Sequence, residues 1–112
     1  MKIPEEGYLL RVFIGENDSY KGHPLYEAIV SKAREMNFAG ATVIRGIMGF
    51  GAGSRIHTAK ILRLSDDLPM IVEIVDSKEK IDELIPWLDE VVQEGLITLE
   101  KMRVIKYRHN GK

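Results

Sequence analysis

The chain has 112 residues, 45% of them hydrophobic, and balances 16 Lys and Arg against 17 Asp and Glu for a net charge of −1. That length suits one core. The near-neutral charge excludes a global basic field for nucleic acid, and the lack of cysteine excludes disulfides and thiolate metal sites. No apolar run approaches the ~20 residues of a membrane-spanning helix, and Met1–Glu6 lacks a signal-peptide core, so the expectation is one cytoplasmic domain over residues 1–112 with no membrane insertion.

Tyr8–Ile14 is apolar at nearly every position, as in a central strand. A polar loop, Gly15–Gly22, follows. Pro24 suits a first helical turn, and Leu25, Ala28, Ile29, Ala33 and Met36 then mark one apolar helix face, ended by Asn37–Gly40.

Gly40–Leu64 begins with the β-branched run Thr42-Val43-Ile44 and then carries Gly46, Gly49, Gly51 and Gly53 before strand-like residues return over Ile56–Leu64. Such a segment suits a hairpin loop. It also suits a backbone N–H array that meets an anion, since glycine permits close approach and positive φ. Its spacing is not the dinucleotide fingerprint, and a strand pattern rather than a helix follows it.

Ser65–Pro69 has turn chemistry, and Met70–Val75 reads as a buried strand that forms one bent arm with the preceding strand or stands apart from it. Asp76 is placed to cap a helix, with Glu79 completing a capping box. Ile81, Leu84, Ile85, Leu88 and Val92 give its apolar stripe, Pro86 should kink it, and Gly95 should stop it. Ile97–Leu99 and Met102–Tyr107 supply the last strand.

The order β-α-β-β-α-β makes this an α+β, ferredoxin-like sandwich: a four-stranded antiparallel sheet with two helices on one face. The strands are too apolar for a solvated open face, so other copies of the chain are expected to cover it.

Chemistry-bearing residues are sparse. His23, His57 and His109 are scattered without metal-like spacing, Asp66-Asp67 suits a turn, and the serines have no partners for nucleophilic catalysis. The position where a small acylphosphatase needs its phosphate loop holds the acidic Gly15-Glu16-Asn17-Asp18. Lys101, Arg103, Lys106 and Arg108 lie in or beside the last strand, where alternation puts Lys106 and Arg108 on one face and Arg103 on the other. They read either as a solvated strand edge or as a phosphate-neutralising set.

Gly40–Gly51, followed by a long loop, together with Leu68–Asp76 and the ending Val104–Gly111, resembles the PII signal-transduction proteins. Gly15-Glu16-Asn17-Asp18 and the segment from Gly46 to His57 are similar to a PII-like group, domain of unknown function 190. The resemblance implies a non-enzymatic homotrimer, its sheets facing an inner core, that binds an adenine nucleotide between subunits.

Thr42, Gly49 and Gly51 match positions that line the nucleotide, and Lys106 and Arg108 match the phosphate-contacting pair. Gly46, Phe50, Lys101 and Arg103 complete the candidate set. The loop after Gly51 is expected to contact a target protein, a membrane transporter or channel by family analogy. Glu94–Thr98 replaces the basic phosphate segment of PII proteins, which favours ADP or AMP over ATP, and no tyrosine stands in Gly51–Leu64 for uridylylation. No tightly bound metal is expected. A small enzyme acting on a nucleotide or phosphate ester is the competing reading.

Overall fold

A computed structural model describes residues 6–50 and 67–108. In chain order the elements are β1 (Glu6–Gly15), β2 (Ser19–Tyr20), β3 (His23–Pro24), α1 (Leu25–Glu35), β4 (Ala41–Arg45), β5 (Pro69–Asp76), α2 (Lys78–Val91) and β6 (Leu96–Arg103). The main sheet runs β4-β5-β1-β6 with every neighbour antiparallel. This is the expected ferredoxin-like arrangement. The expected strand Ile56–Leu64 lies outside the described residues, as do His57, His109, Asp66 and the loop after Gly51.

Alternation along β1 and β5 sorts the side chains into two layers. Leu10, Val12 and Ile14 on β1, with Met70, Val72 and Ile74 on β5, pack against Leu25, Ile29 and Ala33 of α1 and Ile81, Leu84 and Leu88 of α2. These side chains are almost fully excluded from water, and their burial supplies the main driving force for folding. The opposite face carries Leu9, Arg11 and Phe13 of β1 beside Val75, Glu73 and Ile71 of β5 and no helix.

Gly15–Gly22 contains more structure than a polar loop. Lys21 and Gly22 both have positive φ (52° and 83°), which gives the turn the twist that joins β2 to β3. Pro24 sits just before α1 rather than within its first turn.

Three further expectations change. The cap of α2 is Ser77, whose hydroxyl accepts from Lys80 N, not Asp76. The Asp76 carboxylate is buried and serves two backbone donors instead, Ala39 N at 2.9 Å and Ser77 N at 2.7 Å. Pro86 lies within the helix, which stops at Val91, before Gly95. A Cβ at Gly95 would lie 2.5 Å from the Phe13 carbonyl oxygen, so glycine there permits a close pass against β1. Finally, β6 ends at Arg103, so Lys106 and Arg108 are not strand residues and strand alternation does not orient them.

Candidate functional site

The glycine segment leaves β4 at one end of the sheet. Gly46 N donates to Pro69 O at 2.7 Å, and Cβ atoms at Gly46 and Gly49 would lie 2.7 and 3.1 Å from Pro69 Cγ. Both glycines therefore let this exit lie flat on the start of β5. The side chains between and after them point to water: Ile47 is 87% exposed and Phe50 67%. Thr42 pairs with Glu73 and stands on the helix-free face, while Gly51 lies outside the described residues.

The acidic Gly15–Asp18 segment braces this exit. Glu16 accepts from Arg45 Nη2 at 3.1 Å and donates its own N–H to Leu68 O. Asn17 N donates to Asp67 Oδ1 at 3.0 Å, and Gly15 N donates to Asp18 Oδ2 at 2.9 Å. The end of β4 and the start of β5 are thus both tied to the end of β1. Neither Glu16 nor Arg45 stands out by residue type in the sequence. The signal that could have found them is their opposite charge at the matching ends of two parallel strands.

The candidate basic residues lie at the other end of the sheet. Lys101 Nζ contacts Glu6 Oε2 at 2.9 Å, and that hydrogen bond, ahead of the charge of the same carboxylate, raises the lysine above its ordinary pKa. Arg103 stands opposite Glu6 in the ladder. Beyond the strand, Tyr107 donates its hydroxyl to Ala39 O at 3.1 Å, which places Lys106 and Arg108 beside the start of β4.

The register fixes the separation. Arg45 pairs with Met70, whereas Asp76 and Lys101 flank Tyr8 at the far end of β5 and β1. At about 3.4 Å per residue, the length of β5 puts roughly 24 Å between the glycine exit and the cations. One chain does not bring Gly46, Gly49 and Phe50 together with Lys101, Arg103, Lys106 and Arg108. Among the described residues no cluster of three or more His, Cys, Asp or Glu can hold a metal, and no helix is long and apolar enough to cross a membrane.

A family profile described as "Uncharacterized ACR", DUF190, matches residues 7–104. The chain belongs to the DUF190 family. A "UPF0166 protein" of Aquifex aeolicus (strain VF5) is 41% identical over 99 residues, covering 87% of this chain and 91% of the relative. A second, from Methanocaldococcus jannaschii, is 35% identical and covers 88% and 91%.

Among solved structures, CPII from Thiomonas intermedia K12 bound to ADP and bicarbonate superposes with a TM-score of 0.68 at 14% identity, covering 92% of this chain and 95% of that one. A putative PII-like signaling protein from Thermus thermophilus gives 0.63 at 16% identity, covering 89% and 90%. The family and the PII-like fold are thereby established.

Proposed function

We propose that this single-domain chain is a cytoplasmic, non-enzymatic PII-like regulator that assembles as a homotrimer and binds an adenine nucleotide, ADP or AMP, between subunits. One observation carries this reading: the glycine exit and the candidate basic residues occupy opposite ends of the same sheet. A nucleotide spans too little of the roughly 24 Å between them to touch both within one chain. A second copy that brings its Lys101–Arg108 end to the Gly46–Phe50 exit makes one complete site. Thr42 and Gly51 would line the base and ribose side, and Lys106 and Arg108 would face the phosphates.

The ligand class is suggested by the fold relative CPII, whose structures hold ADP and, in one case, ADP together with AMP and acetate. Signalling follows if nucleotide in the cleft orders the loop after Gly51 and so alters its contact with a partner protein, with a membrane transporter or channel as the candidate. Such a shift requires the nucleotide to bind the ordered state more tightly.

Calorimetric titration of the purified protein with AMP, cAMP, ADP and ATP, with and without magnesium, tests the proposal. Saturable binding near one nucleotide per chain is expected. No heat with any nucleotide overturns the functional reading, and steady release of phosphate replaces the regulator with an enzyme.

A further inference from the structure

The helix-free face of the sheet is ordered in rows. One row holds Leu96, Phe13, Ile71 and Ile44, with Leu96 56% and Ile44 42% exposed. The next holds Thr98, Arg11, Glu73 and Thr42. Beyond it stand Glu100, Leu9 and Val75. An Arg11–Glu73 pair therefore crosses the middle of this face on the two central strands, with Glu100 beside it on β6 and apolar residues on either side.

Arg11 organises that row. Its Nε donates to Glu73 at 2.9 Å across the β1–β5 pair, and its Nη1 donates to Glu100 at 3.2 Å diagonally across the β1–β6 pair. A guanidinium has five N–H groups, and these bonds use two. Glu73 and Glu100 each keep one carboxylate oxygen without a hydrogen bond among the described residues. The same patch thus offers both remaining donors and remaining acceptors. That is the requirement for a surface to complement another copy of itself.

We infer that Arg11, with Glu73 and Glu100, fixes the register and number of copies in which this chain assembles through the helix-free face, each guanidinium completing its hydrogen bonds on a carboxylate of the next copy. The inference rests on the proposed assembly and adds the residues that select it. Apolar rows on their own attract any apolar face in several registers. A charged row buried out of register leaves carboxylates unpaired in a dry interface, which strongly disfavours the misaligned assembly. Registry and stoichiometry are the best-attested uses of such buried polar groups.

The test is sedimentation velocity and native mass spectrometry over a dilution series of the full chain, comparing wild type, Arg11→Met, and the triple variant Arg11→Met/Glu73→Leu/Glu100→Leu. Wild type is expected as one discrete closed species. Arg11→Met strands two carboxylates on the face and should weaken assembly on the order of a hundredfold or more. Its circular dichroism should stay unchanged, because no core residue is touched.

The triple variant should associate again, but as a mixture of sizes. An Arg11→Met protein with the wild-type species and dilution behaviour overturns the inference, as does a single discrete size for the triple variant. A wild type that is monomeric throughout overturns it together with the proposed trimer. A discrete wild-type oligomer that binds no nucleotide leaves this inference standing and removes only the functional reading.

Discussion

The hydroxyl of Tyr107 reaches the carbonyl of Ala39 at 3.1 Å, joining the segment after β6 to the residue whose N–H is held by the buried Asp76. The bond carries the tail from the β6 edge, past the ends of β1 and β5, to the start of β4. It fixes the location of Lys106 and Arg108 without any strand to hold them. On the proposed function, Tyr107→Phe should weaken nucleotide binding about two- to tenfold, the value of one net hydrogen bond. The melting temperature should hardly move, since Tyr107 lies outside the core. Calorimetry beside a thermal melt separates the two effects, and unchanged affinity would mean that the tail does not meet the ligand.

Asp76 is expected to behave as a structural hub. Replacing it with alanine leaves the N–H groups of Ala39 and Ser77 unsatisfied at a buried position, which should lower unfolding free energy by about 2–3 kcal/mol. Asp76→Asn keeps an acceptor and should lose less. Urea denaturation of both variants measures this, and a loss for alanine no greater than for asparagine contradicts the two-donor role.

Gly95→Ala should destabilise by about 1–3 kcal/mol, because the new methyl group would press on the Phe13 carbonyl oxygen, which is backbone and cannot swing aside. Chemical denaturation decides it. A neutral result would indicate that the α2–β6 connection shifts freely.

Gly49→Val addresses the glycine exit itself. Even a Cβ at this position sits 3.1 Å from Pro69 Cγ, so a branched side chain should push the exit off the start of β5 and displace the backbone proposed to meet the ligand. Nucleotide binding should be lost while the mass of the assembly stays that of wild type. Retained binding would remove this exit from the site.

The Lys101–Glu6 pair sets a pH expectation. A lysine whose folded-state pKa is raised contributes stability that is fully present below its unfolded value and is lost as pH rises through the folded one. The rise here comes first from the hydrogen bond to Glu6, so the pair should hold throughout the neutral range and open only above 10.5. An NMR titration of the Lys101 ε-methylene checks this, and a midpoint at or below 10.5 contradicts the pairing.

Periodicity in the sequence carried the fold well. The near-continuous apolar runs Tyr8–Ile14 and Met70–Val75 and the helix stripes each lead to the element found, because buried strands and one-sided helices leave these two distinct patterns. Local chemistry failed where tertiary contacts decide between neighbours. Asp76 and Ser77 are both good cap residues, and the choice falls to Ser77 because Ala39, distant in sequence, needs the carboxylate.

Val104–Tyr107 is strand-like in composition, yet the ladder ends at Arg103, opposite Glu6, and Tyr107 draws the tail elsewhere. The candidate residues were legible as types. Their division between two ends follows from direction alone, since β4 runs parallel to β1 and β6 against it.

The chain has one tryptophan, Trp87, and it sits in the helix layer, edge-on to Tyr20 at 5.8 Å and beneath the Lys32 ammonium at 5.5 Å. That cluster clasps the β2–β3 hairpin to both helices, with the whole sheet between it and the face carrying Arg11. Its ultraviolet emission therefore records the docking of hairpin and helices and stays blind to subunits parting on the far side. The molecule carries its own dye, placed where it distinguishes melting from dissociation.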